Sequence, residues 1–355
     1  MEINKTHNLS CIEGLAKIPD NSIDCCVTSP PYFGLRDYGN SEQIGMEETP
    51  EQFVSKLVEV FKEVHRVLKK EGTLWLNLGD SYSTGGRAFD SNKYKGKNTF
   101  NQNMGWRSAT PGLKHKDLIG IPWMVAFALR SSGWYLRQDI IWNKPNPMPE
   151  SVTDRCTKSH EYIFLLTKSP KYYYNIDAIR TPVKDSTAQR MAQQIEKQKG
   201  SERVPGKTNG NMKAVGPGRK PRPQDNKQEN QGSTTGIKAY SHRGSGDKKL
   251  TGHSGNFDKN GNLIGNGMAN KKSVWTVTTK PFKEAHFATF PPDLIIDCIK
   301  AGCPEQGIVL DPFMGAGTTA LVARQLNRNY IGFEINSEYI KIQEKRLSKK
   351  LGLFS

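Results

Sequence analysis

Residues 308–334 constrain the fold of this chain more than any other stretch. Ile308, Val309 and Leu310 form a short β-favouring run that ends on Asp311. The turn Pro312-Phe313-Met314-Gly315-Ala316-Gly317 follows, and Thr318 opens a helical segment that reaches residue 326. Residues 330–334 read as a second strand that ends on Glu334. A strand, a glycine turn, a helix and a second strand in this order read as part of an α/β layered sheet. Gly315 and Gly317 let the backbone turn tightly and approach a ligand without a Cβ in the way. A carboxylate at the end of the second strand can accept hydrogen bonds from both ribose hydroxyls of an adenosine-bearing ligand.

The rest of the 355-residue chain continues this alternation. Phe53, Leu57, Val60, Phe61, Val64 and Leu68 recur at helical steps and predict a helix over 50–70. Thr49 is its N-cap, Pro50 its first residue and Gln52 the partner of a capping box. Further strands are expected at 23–28, 73–78, 135–142 and 161–167, and further helices at 122–131, 291–301 and 337–349. The reading is an α/β layered sheet.

A second motif ends the strand at 23–28. Ser29-Pro30-Pro31-Tyr32 stops the ladder, because the two prolines fix φ and remove two N–H donors. What remains is a stiff loop with a hydroxyl, free carbonyls and one flat ring. Such a loop suits a planar ring that carries an amino group; alone, it could equally be a rigid corner. The glycine turn narrows the choice of cofactor. A nicotinamide dinucleotide usually brings three glycines, whereas this chain has Gly-Ala-Gly followed by Thr318 and Thr319. One fewer glycine, with Asp311 just ahead of the turn, suits a cationic ammonium better than a pyrophosphate. S-adenosylmethionine fits that description.

Charge points to a polyanion. Lys and Arg number 51 against 35 Asp and Glu, a net +16, which favours nucleic acid as partner; a basic enzyme without such a partner is the other reading. Residues 181–272 hold 18 Lys and Arg against 7 Asp and Glu, and are rich in Gly, Asn, Gln and Ser. They bury little core and read as an extended insertion, either a DNA-contacting segment or a solvated linker. A smaller basic insertion at 82–116 carries Arg87, Lys93, Lys95, Lys97, Trp106 and Arg107. The expected organisation is a catalytic half at 1–180, the basic insertion at 181–272 and a cofactor half at 273–355. The six cysteines form no CxxC pair and no zinc-like spacing, and His7, His65, His115 and His160 are scattered, so no metal site is expected. Reduced thiols, no membrane-length apolar run and no secretion-type N-terminus suggest a cytoplasmic protein without membrane contact.

With both motifs in view, the chain resembles the DNA amino-methyltransferases, which methylate exocyclic amines of cytosine or adenine. The resemblance rests on Ser29-Pro30-Pro31-Tyr32 as the catalytic loop and Phe313-Met314-Gly315-Ala316-Gly317 as the cofactor loop. It extends to residues 142–147, 159–163 and 286–291, and the catalytic motif comes first, as in the subgroup called beta. The resemblance implies a Rossmann-like, S-adenosylmethionine-dependent methyltransferase sheet with helices on both faces and a loop-rich target-recognition insertion. It implies that Asp311, Phe313, Gly315, Gly317, Thr318, Thr319 and Glu334 surround the cofactor, with His286 and Phe287 near its methionine end. Ser29, Pro30, Pro31 and Tyr32 would hold the target base. Relatives often carry Gly-Asp near the adenine; the equivalent here is Leu9-Ser10, which places Ser10 and Cys11 there instead.

The expected partner is double-stranded DNA with the target base flipped out. A cognate restriction endonuclease in the same system, and a monomer or homodimer, are further expectations. Relatives with Ser first in the loop mostly modify cytosine N4, and those with Asp or Asn mostly adenine N6, so Ser29 points to cytosine. Adenine-N6 methylation, a catalytically inactive DNA-binding relative, a protein or RNA methyltransferase and a nicotinamide oxidoreductase are the alternatives. Arg36 and Asp37 could shape the pocket or pair with each other. Residues 142–145 could touch DNA backbone or simply close a strand.

Overall fold

The computed structural model describes residues 1–34, 43–83, 111–183, 268–280 and 290–351. The first half runs β1 (Lys5–His7), α1 (Cys11–Ala16), β2 (Ile23–Thr28), α2 (Pro50–Val67), β3 (Leu68–Leu78), α3 (Ile121–Ser131), β4 (Tyr135–Asn143) and β5 (His160–Thr167). The second half adds short strands β6 (Thr181–Pro182), β7 (Met268–Ala269) and β8 (Val274–Thr276). It closes with α4 (Pro292–Gly302), β9 (Ile308–Asp311), α5 (Thr318–Gln325), β10 (Asn329–Phe333) and α6 (Ser337–Leu351). Residues 1–179 and 271–355 make one unit, and residues 180–270 a second. The described part of the second unit is the antiparallel pair β6–β7, with Thr181 opposite Ala269.

The large unit is one eight-stranded sheet in the order β1-β10-β9-β2-β3-β5-β4-β8. Every neighbouring pair is parallel except β3–β5 and β5–β4, so β5 alone runs against the rest. Side chains alternate across it. Cys26, Leu74, Leu76 and Phe164 face a core shared with α1, α2 and α3. Cys25, Val27, Trp75 and Leu165 face a second core beneath α4 and α5. Helices cover both faces of a mostly parallel sheet, as the alternating pattern requires.

The predicted helix over 50–70 forms with its expected cap. The Thr49 hydroxyl accepts from Gln52 N–H and the Gln52 side chain accepts from Thr49 N–H. It ends at Val67, however, earlier than the periodicity suggested. Asn21 and Ser22 N–H groups take the carbonyls of Arg66 and Val67, and Leu68 turns extended to pair with Ile23. Leu68 therefore keeps its buried position in the strand rather than the helix. Among the described residues, no helix is long and apolar enough to cross a membrane. All six cysteines are free thiols.

The chain leaves β9 through α5 toward β10 and leaves β2 through α2 toward β3, in opposite directions along the sheet. The order therefore reverses between β9 and β2. In open α/β sheets the crevice beyond the carboxyl ends of two such strands is where ligands bind.

Candidate active site

Asp311 ends β9 and Thr28 ends β2, and their side chains join across that reversal point. Thr28 Oγ1 donates to Asp311 Oδ1 at 2.6 Å. Phe313 N–H donates to the same oxygen at 3.0 Å, and Thr319 Oγ1 donates to Oδ2 at 2.6 Å. Burial pushes the Asp311 carboxyl up to about 6, against the pull of these donors. Ser29 follows Thr28 directly, so one buried carboxylate ties the roots of the Ser-Pro-Pro-Tyr loop and the glycine turn together.

Asp311 is 1 % exposed and both its oxygens are engaged within the protein. It braces the roots of the two loops. Thr319 is fully buried, and the Thr318 hydroxyl accepts from Arg346 Nη1 at 3.0 Å. Gly315 differs. Its φ is +53°, and a Cβ built there would meet only open space beyond a contact at 3.8 Å. That empty cradle is where a ligand can approach. Gly317 also has positive φ, +76°, but a Cβ there would strike Gln343 Cγ at 2.8 Å. Phe313 is partly buried against the first core.

Glu334 lies one residue past β10, with its carboxylate held by backbone donors. Gly315 N–H reaches Oε2 at 2.8 Å and Asn336 N–H reaches Oε1 at 2.9 Å. Burial is the main cause of a carboxyl raised to about 7. The glycine turn and the acid after the next strand are thus joined by a direct hydrogen bond. Asn8, which the sequence reading passed over, donates to the Glu334 carbonyl at 2.9 Å and brings the turn before α1 alongside. Ser10 is the N-cap of α1 in a capping box with Glu13. Cys11 is partly buried, and burial raises its thiol to about 11.

On the other strand end, Pro30 is buried and Ser29, Pro31 and Tyr32 are half-buried. The Tyr32 hydroxyl donates to Glu161 Oε2 at 2.7 Å. Its ring packs so closely on Gly79 that a Cβ there would meet Tyr32 Cε2 at 2.5 Å. Burial, then the Glu161 charge, raise the phenol well above its usual range. Glu161 also accepts from Asn77 Nδ2 at 3.3 Å and pairs with Lys144, whose ammonium sits 4.3 Å from the Trp142 ring centre. Lys144 and Glu161 lie in stretches that carried the family resemblance, but nothing in their spacing announced an anchor for Tyr32. Asn143 and Asn146 bond Thr276 and Thr279, closing the end of β4 onto the end of β8 and the chain that follows it. Among the described residues, no group of His, Cys, Asp and Glu is placed to hold a metal ion. His286, Phe287, Arg36, Asp37 and the basic residues of 87–107 lie outside the described residues.

The Ser-Pro-Pro-Tyr loop and the glycine turn leave neighbouring strands of one doubly wound sheet, and that sheet is the fold of S-adenosylmethionine-dependent methyltransferases. Residues 23–345 match the N6/N4 DNA methylases, and the chain belongs to that family. It is similar to two Type II methyltransferases, M.XycI of Xanthomonas campestris pv. cyanopsidis and M.Cfr9I of Citrobacter freundii. Each is 41 % identical over 334 residues, which span 94 % of this chain and 84 % of the relative. M.SmaI of Serratia marcescens is 39 % identical over 339 residues, spanning 95 % and 88 %. Among solved structures the fold is shared with the cytosine-N4-specific PvuII DNA methyltransferase, at TM-score 0.55 and 15 % identity over 96 % of this chain and 87 % of that one. It is also shared with a putative DNA modification methylase of Thermus thermophilus, TTHA0409, solved with S-adenosyl-L-methionine. There the TM-score is 0.51 at 20 % identity, over 98 % and 93 %.

Proposed function

We propose that this DNA methyltransferase transfers a methyl group from S-adenosylmethionine to the exocyclic N4 amine of cytosine, flipped out of duplex DNA at a specific site. The observation that carries the reading is the 2.6 Å bond from Thr28 to Asp311, which roots both loops at one crevice. S-adenosylmethionine, when bound, supplies an electrophilic methyl on a sulfonium. The residues that would hold it are Gly315, whose Cβ side is open, and Glu334, whose carboxylate keeps lone pairs for ribose hydroxyls.

The amine is a poor nucleophile because its lone pair is delocalised into the ring. The Ser29 hydroxyl and the Pro30 carbonyl are the acceptors for its two N–H groups, and they localise that lone pair on nitrogen. Acceptors fixed in place before reaction stabilise the developing charge without reorganising. Tyr32 offers a stacking face, and such stacking is worth roughly 1–3 kcal/mol per base. Its hydroxyl is committed to Glu161, so the ring has one orientation, and positioning supplies much of the remaining acceleration. Ser29 at the head of the loop supports cytosine over adenine. The basic segment at 181–272 is the target-recognition region, where phosphate contacts offset the few kcal/mol that base flipping costs. The protein works in the cytoplasm, as a monomer or homodimer, beside a restriction endonuclease that cuts the same sequence.

Incubation with S-adenosylmethionine and mixed-sequence DNA, then nucleoside mass spectrometry, is expected to yield N4-methylcytosine. N6-methyladenine alone would overturn the base assignment. Ser29→Ala is expected to keep DNA affinity while methyl transfer slows by orders of magnitude; near-normal turnover would remove Ser29 from the chemistry.

A further inference from the structure

Helix α6 reaches back onto the glycine turn through two residues on one face. Gln343 is 1 % exposed, and its Nε2 donates to the Gly315 carbonyl at 2.6 Å. Three residues on, Arg346 Nη1 donates to the Ala316 carbonyl at 2.9 Å and to Thr318 Oγ1 at 3.0 Å. Side chains three apart on a helix are neighbours, so the two act on consecutive peptide groups. Gly317 makes this approach possible, since any side chain there would collide with Gln343. The second glycine therefore serves the helix, and the first serves the ligand.

In a trans peptide the C=O and N–H point in opposite directions. With the Gly315 carbonyl drawn toward α6, the Ala316 N–H points away from it. That N–H makes no hydrogen bond among the described residues. The Oε1 of Gln343 is buried without a partner among the described residues, a state that costs stability. A side chain that retains an unpaired acceptor in order to hold one carbonyl is acting on the shape of the turn.

We propose that α6 is part of the cofactor site, with Gln343 and Arg346 as positioning residues that lock the Gly315 and Ala316 carbonyls and so hold the Ala316 N–H ready for an oxygen of the cofactor. This rests on the assignment of S-adenosylmethionine to the glycine cradle. Its test uses S-adenosylhomocysteine, titrated calorimetrically into the full-length protein, with a thermal melt and the KM for S-adenosylmethionine and for DNA measured alongside. Gln343→Met keeps the volume but removes both the donor and the orphan acceptor. The expected result is a Kd for S-adenosylhomocysteine about tenfold higher, one hydrogen bond's worth. The KM for S-adenosylmethionine should rise in parallel, while the KM for DNA and the melting temperature hold. Arg346→Lys, which keeps the charge but loses the fork, should shift the same quantities in the same direction. An unchanged Kd in both variants, or a loss that follows only a fall in melting temperature, would overturn the proposal. Wild-type protein that fails to bind S-adenosylhomocysteine would instead overturn the cofactor assignment on which it rests.

Discussion

Glu334 makes the glycine turn sensitive to pH, because burial and the backbone donors of Gly315 and Asn336 pull its carboxyl in opposite directions. Its carboxyl titrates at about 7 against 4.5 in the open chain, and that of Asp311 at about 6 against 3.8. Between those limits the folded state keeps protons that the unfolded state has lost. These two groups therefore make the ligand-free protein less stable as pH rises from about 4 to 7. A ligand that donates to the Glu334 carboxylate favours its ionised form, so binding has the opposite slope. S-adenosylhomocysteine is expected to bind about tenfold more weakly at pH 6 than at pH 8, and to release a proton on binding near neutral pH. Calorimetry in two buffers of different ionisation enthalpy checks both. A Kd flat across this range, without proton release, would refute the role of Glu334.

The strands and helices explain why the two loops meet. Thr28 and Asp311 are the last residues of β2 and β9, and their bond joins the two halves directly. Thr28→Val keeps the shape but leaves a buried carboxylate with one donor fewer. The expected loss is about 1–3 kcal/mol, read by denaturant unfolding, with slower turnover because both loops pivot on that bond. Unchanged stability would show that the pair is not a brace. Most elements were legible from periodicity and caps: the Thr49–Gln52 box, the strand that ends at Asp311 and the helix that begins at Thr318 all form as read. The missed elements are short. Strand β1 has three residues, and α1 has six with a mostly exposed face; such segments are set by their neighbours rather than by their own pattern. Glu161 and Lys144 were missed for a different reason. They converge only after β4 and β5 pair antiparallel, with Asn143 opposite His160.

The charge of the chain belongs to its longest-range behaviour. A net +16, with 18 Lys and Arg in residues 181–272, predicts DNA binding that weakens steeply with salt. The slope of log K against log salt concentration should be about −4 or steeper, since each neutralised phosphate contributes roughly −0.9. Replacing residues 184–267 with a short Gly/Ser linker is expected to leave a folded sheet that still binds S-adenosylhomocysteine. The slope should flatten and sequence preference should disappear, as read by fluorescence anisotropy on labelled duplexes. A deletion variant with unaltered DNA affinity would mean that the segment does not touch DNA.

Such a replacement is practicable because Thr181 and Pro182 pair with Ala269 and Met268. The excursion departs and returns through one narrow stem, so its two ends are already next to each other. Whatever sits beyond that stem can lengthen, shrink or be exchanged for a foreign cassette without stretching the parent sheet. If this segment reads the DNA, as proposed above, swapping it for one of different origin at that stem is expected to change the sequence methylated and leave the kind of methylated base the same.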